Sequence, residues 1–256
     1  MQNNNFSEVF VAQNLVILKE VDSTNTFLKN ILSNNEPVPE GTVILAESQT
    51  AGRGQQQNKW YSSKGESLAF SLLLKPSFLS LAQQFNLIRI VSLGVYDALL
   101  PLVGNSLKIK WPNDIYIGDR KLGGMLIENQ VQGSTIKSSV VGIGLNINQN
   151  NFPDWVPNPI SVKQILHTDY DLKALMFDIC NRIGQWYIKL MAGNESQIQD
   201  AYLNTLYWLN KPGRFKAQDA IFGGIIKGVS NAGLLLLECN GKTTAYNLKE
   251  IEFLNK

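Results

Sequence analysis

The fold class is decided by residues 121–148, which read K-L-G-G-M-L-I-E-N-Q-V-Q-G-S-T-I-K-S-S-V-V-G-I-G-L-N-I-N. Two long apolar runs, Leu122–Val131 and Ile136–Ile147, predict two strands, and Gln132-Gly133 between them is typical of a hairpin turn. Two adjacent glycines interrupt the first run, and two alternating glycines interrupt the second. A glycine inside a strand packs no side chain, so the adjacent pair Gly123-Gly124 indicates either a β-bulge or the close approach of a ligand or another backbone.

Outward from this hairpin, apolar strands alternate with helical patterns. The strands predicted upstream are Leu15–Val21, Gly41–Ala46, Leu68–Leu74, Lys108–Trp111 and Asp114–Ile117. The predicted helices are one after Asp22, one with Leu81, Phe85, Ile88, Val95 and Leu99 along one face, one at Leu172–Met191 and one at Glu195–Leu209. After Lys211-Pro212-Gly213 the pattern changes to short strands with glycine turns. We therefore predict an α+β fold, with a mixed-sheet domain at residues 1–210 and a small β-barrel at residues 211–256.

Composition excludes several classes of protein. Hydrophobic residues make up 44% of the 256 residues and charged residues 17%, which is not the composition of a disordered chain. A net charge of +2 is too small for a strongly basic nucleic-acid binder. No stretch approaches the roughly 18 consecutive apolar residues of a membrane span, and the start is not that of a signal peptide, so we expect a cytoplasmic protein. Two cysteines and one histidine make neither a disulfide framework nor a structural zinc site.

A long polar loop at residues 47–65 is the first candidate for chemistry. Gly52 and Gly54 flank Arg53, so the backbone can curl and present its N–H groups beside a planar, permanently charged guanidinium. This arrangement suits a phosphate or a carboxylate, although a solvated surface loop is the alternative. The chain contains no P-loop motif.

Three further clusters follow along the chain. In K-W-P-N-D-I (110–115), Asp114 at a tight turn could hold magnesium through water or accept a proton from an attacking amine, unless the turn is only structural. Lys121, at the mouth of the glycine-containing strand, could stabilise charge that develops on a carboxylate. Gly142 and Gly144 alternate on one strand face and would leave a floor without side chains, on which a flat ring or an alkyl chain could lie.

Together these motifs resemble the biotin–protein ligases. The motifs, in the order and at roughly the spacing of that family, are D-S-T-N (22–25), Q-T-A-G-R-G (49–54), K-W (59–60), K-W-P-N-D (110–114), K-L-G-G (121–124) and G-I-G-L-N-I-N (142–148). The resemblance is strong from residue 15 to about residue 150 and weaker beyond. It implies the biotin/lipoate ligase type of mixed-sheet catalytic domain, which adenylates biotin with ATP and passes it to a lysine of a biotin carboxyl carrier protein.

The resemblance also implies roles for single residues. Around biotin it places Ser23, Thr24, Asn25, Gln49, Gly52, Arg53, Lys121, Gly124, Leu126, Gly142 and Gly144. Near the nucleotide it places Arg53, Trp60, Lys110, Asn113 and Asn146. The residues implied in catalysis are Arg53, Lys121 and Asp114, with magnesium held at Asp114 through water. Biotin and ATP with magnesium are then substrates and co-ion, and no tightly bound prosthetic group is expected. A structural role for Trp60 is the alternative.

The sequence departs from the family at two places. Gln55, Gln56, Gln57 and Asn58 stand where many members have a second basic residue and another glycine, and we hypothesise that the adenylate is released more readily here. Only 21 residues precede the D-S-T-N motif, too few for a DNA-binding helix-turn-helix domain, so we expect no DNA binding. The same catalytic fold occurs in lipoate or octanoate ligases and transferases, which are the alternative function, but their R-R-x-S-G-G-G type motif is absent. We expect a monomer or a homodimer with no membrane partner.

Overall fold

The structure is a computed structural model that describes residues 14–34, 37–55 and 58–254. Its helices are α1 (Thr24–Ser33), α2 (Phe85–Val103), α3 (Val162–Leu166), α4 (Leu172–Met191) and α5 (Glu195–Asn204). The strands of the first sheet are β1 (Leu15–Leu18), β2 (Val43–Ala46), β3 (Ser67–Leu74), β4 (Leu107–Lys110), β5 (Asp114–Ile117), β6 (Arg120–Gln132) and β7 (Thr135–Asn146). The strands of the second sheet are β8 (Pro212–Ala217), β9 (Ala220–Val229), β10 (Leu235–Cys239), β11 (Lys242–Tyr246) and β12 (Glu252–Leu254).

The first sheet is mixed. Its strand order is β1-β2-β3-β7-β6-β5-β4, with β1 parallel to β2 and every other neighbouring pair antiparallel. The hairpin β6–β7, which the sequence predicted, lies at the centre of the sheet, and Gly124 pairs with Gly144 while Leu126 pairs with Gly142. A register shift in the β5–β6 pairing leaves Leu122 opposite no residue of β5, so a β-bulge does lie at the glycine pair.

Alternation along β7 separates the two faces of this sheet. Val141, Ile143 and Leu145 are buried in the main hydrophobic core with α2 and α4. Because successive strand residues point to opposite faces, Gly142 and Gly144 face away from that core. Helix α1 covers the outer part of this second face through Leu28, which belongs to a smaller hydrophobic cluster. The rest of the face is left for a cavity.

Helix α2 is the central helix of the main core. By length and composition the segment Leu81–Ser106, with a mean hydropathy of 1.7, is also long and apolar enough for a membrane span. In the structure 56% of its most apolar window is buried inside the protein, and α2 packs on α4, α5 and the sheet. We interpret it as the core helix of a folded domain.

The second sheet is antiparallel, with strand order β11-β10-β9-β8-β12, and shares the main core. The indole Nε1 of Trp111 donates to the carbonyl oxygen of Gly233 at 2.9 Å, and the buried Arg89 donates to the carbonyl oxygen of Ser230 at 2.9 Å. Both bonds join the first sheet and α2 to the β9–β10 turn. They help to bring the end of the chain to the cavity described below.

The predicted fold class is confirmed, as are the bounds of α4. Helix α5 ends at Asn204 rather than Leu209, because the chain there leaves the helix to pair with β4: the Ile109 amide donates to Thr205 and the Tyr207 amide to Ile109. This segment covers the edge of β4. Helix α3 and strand β12 were not predicted, since five and three residues are too few to show a period. The domain boundary at residue 211 stays a prediction.

Candidate active site

A cavity of about 530 Å³ opens on the sheet face that α2 and α4 leave free. The predicted site residues that line it are Ser23, Thr24, Asn25, Gln49, Arg53, Trp60, Lys110, Asn113, Asp114, Lys121, Gly124, Leu126, Gly142 and Gly144. Asn146 lines a neighbouring cavity of about 500 Å³ instead. Gly52, a residue of the loop, lines neither cavity, and a Cβ there would come 2.6 Å from the carbonyl oxygen of Trp60. Motifs spread over more than 120 residues of sequence thus meet around one space.

One end of the cavity is a polar corner at the start of α1. The side-chain oxygen Oε1 of Gln49 accepts from the backbone N–H of Thr24 at 2.8 Å and lies 3.2 Å from the Thr24 hydroxyl. Ser71, which is fully buried, places its hydroxyl 2.7 Å from that of Thr24. The hydroxyl of the N-cap residue Ser23 accepts no hydrogen bond from the first turn of α1. This corner offers both donors and acceptors to a polar ring.

The glycine floor is covered by two side chains in this structure. A Cβ on Gly142 would come 2.4 Å from Oδ1 of Asn25, and a Cβ on Gly144 would come 2.6 Å from the indole of Trp60. A real Cβ atom at either position would therefore have to displace a neighbour. Glycine at these two positions makes room for the side chains of Asn25 and Trp60, whereas the sequence predicted a floor free of side chains; the place of a ligand on it stays a prediction.

The other end of the cavity carries opposite charges. Lys121 Nζ lies 2.8 Å from Oδ2 of Asp114, and both side chains are about one-quarter exposed. A Cβ on Gly124 would come 2.7 Å from Oδ1 of the same carboxylate, so a side chain there would shift Asp114. The lysine and the aspartate that sequence analysis treated separately therefore form one ion pair.

Lys110 lies in the same region of the cavity. Its ammonium lies 4.7 Å from the ring centroid of Tyr116 and 4.9 Å from that of Phe253, which reaches the site from β12. Desolvation by burial lowers the pKa of Lys110, although the charge of Asp114 opposes this shift. The two aromatic rings stabilise the cation by cation–π contacts. Lys110 is thus a positioned and partly desolvated cation.

Glu128 is the main residue that the sequence analysis missed. Its Oε2 accepts from Nη2 of Arg53 at 2.7 Å and from Nδ2 of Asn25 at 2.9 Å, while its Oε1 lies 2.7 Å from the ammonium of Lys29. Strand alternation from Gly124 gave a signal, because every second residue of β6 faces the cavity side and Glu128 is in that register. No pattern in the sequence marked the cavity-lining residues near the end of the chain, which are Leu248, Ile251, Glu252 and Phe253.

Trp60 separates the two cavities. It lines both, as do Lys121, Asn58 and Lys59. Its indole N–H is buried and has no hydrogen-bond partner among the residues that the structure describes. A buried donor without an acceptor is costly, so a bound molecule with an acceptor at this point would be favoured. Two adjoining spaces that share a lysine suit two substrates that react with each other.

Comparisons with known proteins agree with this geometry. The family profile described as the biotin/lipoate A/B protein ligase family matches residues 17–146. The bifunctional ligase/repressor BirA of Bacillus subtilis is 30% identical over 233 residues, which are 90% of this chain and 71% of that protein. The biotin–[acetyl-CoA-carboxylase] ligase of Paracoccus denitrificans is 29% identical over 230 residues, covering 86% of this chain and 92% of that protein.

A solved structure extends the likeness to the whole fold. The biotin protein ligase of Aquifex aeolicus in complex with biotin and ATP is 28% identical, has a TM-score of 0.79, and covers 96% of this chain and all of that chain. The profile match contains the polar corner, the loop, both charged motifs and the glycine floor. The chain belongs to the biotin/lipoate A/B protein ligase family.

Proposed function

We propose that this chain is an ATP-dependent biotin–protein ligase, which forms biotinyl-5'-AMP and transfers biotin to a lysine of a biotin carboxyl carrier protein. The observation that carries the proposal is one cavity with a polar corner, a glycine floor and a lysine at its far end. Similar ligases act on biotin by name, and the solved Aquifex relative holds biotin and ATP. These likenesses favour biotin over the lipoate or octanoate alternative.

We place biotin in the first cavity with its ureido ring at the polar corner. A ureido ring needs both donors and acceptors, which Ser23, Thr24 and Gln49 provide at the corner. The fused rings and the acyl chain would then lie beside Leu126, against the Asn25 and Trp60 side chains that cover Gly142 and Gly144. The carboxylate would reach Lys121. The nucleotide would occupy the neighbouring cavity between Trp60 and Asn146, with its phosphates at the wall that the two cavities share.

The chemistry of the first step requires cations at that wall. A carboxylate is a poor electrophile, so one of its oxygens first attacks the α-phosphorus of ATP, and the bond to pyrophosphate breaks. Negative charge passes through the phosphate in this transition state, and Lys121, which lines both cavities, would stabilise it there, while Lys110 lines only the first cavity. Arg53 also lines the cavity, but its guanidinium is held by Glu128. Binding of the biotin carboxylate and the phosphate by Arg53 therefore stays a prediction.

The second step transfers the acyl group. The neutral amine of the carrier lysine attacks the carbonyl carbon, the bond to AMP breaks, and the amine loses a proton. Asp114 lies at the same end of the cavity and would position the amine and accept that proton, while Lys121 stays on the departing phosphate. Because an acyl-adenylate hydrolyses in water, the loop that carries Trp60 would also exclude solvent.

Magnesium at Asp114 stays a prediction. Within the described ranges no group of three or more His, Cys, Asp or Glu side chains could hold a metal ion, and Asp114 is already paired with Lys121. These residues do not make a magnesium site by themselves. Magnesium would arrive with ATP, held mainly by phosphate oxygens, and none of the steps above depends on a metal ligand from the protein.

The proposal is tested with labelled biotin, ATP and a biotin-carboxyl-carrier domain. We expect label on the carrier only when ATP is present, and much less with the Lys121→Ala and Arg53→Ala variants. Lipoate and octanoate serve as competing substrates in the same assay. Transfer of either in preference to biotin, or transfer of biotin without ATP, would contradict the proposal.

The stretch Gln55–Asn58, where the sequence departs from the family, leads to a separate prediction. Gln55 lines the first cavity, as does Arg53. The amide of Asn58 donates to the carbonyl oxygen of Gln55 at 3.0 Å. Gln56 and Gln57 lie outside the described residues. An arginine at residue 55 would add a cation near the adenylate. We expect Gln55→Arg to lower the rate at which free biotinyl-adenylate appears in solution by about 3- to 10-fold, as one additional hydrogen bond would. An unchanged rate would count against the leakage hypothesis.

The remaining expectations belong to the same proposal. Biotin, ATP and the carrier protein are its proposed partners. The absence of DNA binding, the choice between monomer and homodimer, and the cytoplasmic location stay predictions. Size-exclusion chromatography with and without biotin and ATP would decide the oligomeric state.

A further inference from the structure

Glu128 lies where three elements meet. It belongs to β6, in the register of the floor residues Gly124 and Leu126. Its carboxylate contacts α1 through Asn25 and Lys29, and contacts the 47–65 loop through Arg53. Burial by itself would raise the pKa of Glu128, but hydrogen bonds from Lys29 and Asn25 and the charge of Arg53 outweigh it, so the pKa is lowered. Glu128 is therefore ionised at neutral pH.

The loop that Arg53 belongs to is a small hairpin. The Gly54 amide donates to Asn58 at 2.7 Å, the Trp60 amide donates to Gly52 at 2.9 Å, and Arg53 forms a backbone bridge with Lys59. These bonds hold the hairpin together, but they do not attach it to the sheet. Among the residues that the structure describes, the only ion pair made by the hairpin (residues 52–60) is that between Arg53 and Glu128.

The ion pair of Arg53 with Glu128 also affects Trp60. This residue ends the hairpin, covers Gly144 and separates the two cavities. Because the guanidinium of Arg53 and the indole of Trp60 belong to one hydrogen-bonded unit, fixing the first restricts the second. The distance of 2.7 Å between Arg53 Nη2 and Glu128 Oε2 is that of a charge-assisted hydrogen bond.

We propose that Glu128 is a positioning residue that fastens the 52–60 hairpin over the site through Arg53. Arg53 then acts mainly as an anchor, and the hairpin backbone and Trp60 form the cover of the bound adenylate. Glu128 touches no substrate in this arrangement and acts through Arg53. This inference rests on the proposed function for its catalytic consequence, but the attachment itself is a property of the protein without ligand.

The test is a double-mutant cycle of Arg53→Gln and Glu128→Gln, with Lys29→Gln as the matched control. Lys29 also pairs with Glu128 at 2.7 Å and is about as exposed as Arg53, but it belongs to α1 and not to the hairpin. The first measurement is hydrogen–deuterium exchange of a peptide that covers residues 52–60, without ligands. Because the pair is partly exposed, we expect exchange to be roughly 3- to 10-fold faster in each single variant.

The double variant should exchange no faster than the single variants, because each change removes the same contact. Lys29→Gln should leave exchange of this peptide within about 2-fold of the wild type, since exposed pairs contribute little beyond their own contact. Unchanged exchange in Glu128→Gln, additive effects of the two changes, or an equal effect of Lys29→Gln would overturn the proposal. Should Glu128→Gln not fold, Arg53→Gln alone against Lys29→Gln still decides it.

The second measurement separates positioning from direct contact. An anchor predicts that Arg53→Gln and Glu128→Gln raise the KM values for biotin and ATP together and by the same factor, and that both increase release of free adenylate. A direct phosphate contact by Arg53 predicts a loss of kcat in Arg53→Gln that Glu128→Gln does not share, and would overturn the proposal. If the wild type transfers no biotin, the proposed function fails, whereas the exchange experiment still reports on the anchor.

Discussion

Replacement of Lys121 by alanine is expected to lower kcat for biotinyl-adenylate formation by roughly 100- to 1,000-fold, the range seen when one preorganised charge-stabilising donor is removed. Lys121 lines both cavities, so it is placed where the carboxylate of one substrate meets the phosphates of the other. Its ammonium is fixed by Asp114 at 2.8 Å and therefore needs little reorganisation during the reaction. Release of labelled pyrophosphate from ATP in the presence of biotin measures the effect.

Two controls make this expectation specific. Lys163 forms an ion pair with Asp169 at the same distance of 2.8 Å but lines neither cavity, so Lys163→Ala should change the rate by less than about 2-fold, as for a surface pair. The double variant Lys121→Ala/Asp114→Asn removes the carboxylate that Lys121→Ala leaves without its cation. Recovery of the rate in the double variant would show that the unpaired Asp114, and not the lost lysine, caused the defect. A loss of less than about 10-fold in Lys121→Ala would also contradict the assigned role.

The sequence was sufficient to predict elements with a clear residue pattern, whether of glycines along a strand or of apolar residues along a helix. Alternating glycines in G-I-G mark one face of a strand, and the structure places both on the cavity side of β7. The helix at residues 172–191 has twenty residues over which its period is visible. Motifs of the loop and of the charged strands could be assigned to one site only through the resemblance, since spacing along the chain does not tell which loops meet.

The sequence was insufficient where function depends on distant partners. Glu128 lies within the stretch 121–148 that decides the fold class, yet its importance comes from Lys29 and Arg53, which lie 99 and 75 residues away in the chain. Phe253 contributes to the site because the second sheet packs into the same core, and no local pattern predicts that packing. Likewise, Asn25 of the D-S-T-N motif bonds to Ser71, Leu126 and Glu128, and no local pattern predicts these distant partners.

Gly142→Ala is expected to weaken biotin binding strongly, although it adds only one methyl group. The new Cβ would come 2.4 Å from Oδ1 of Asn25, which is only 3% exposed and bonded to Ser71, Leu126 and Glu128. Moving this amide breaks two or three hydrogen bonds, worth about 0.5–1.5 kcal/mol each. We expect the Kd for biotin, from calorimetry, to rise about 10- to 100-fold and the melting temperature to fall by roughly 2–10 °C.

Gly228→Ala is the matched control, because it is also a strand glycine but its Cβ would meet atoms only at 3.9 and 4.0 Å. It should leave biotin binding unchanged. The double variant Gly142→Ala/Asn25→Ala distinguishes two causes, since it gives the new methyl group the space that Asn25 occupied. If the methyl group acts by displacing Asn25, the double variant binds no worse than Asn25→Ala; if it blocks the ring itself, binding is lost further. Wild-type affinity in Gly142→Ala would place the ring elsewhere and remove the glycine floor from the proposed site.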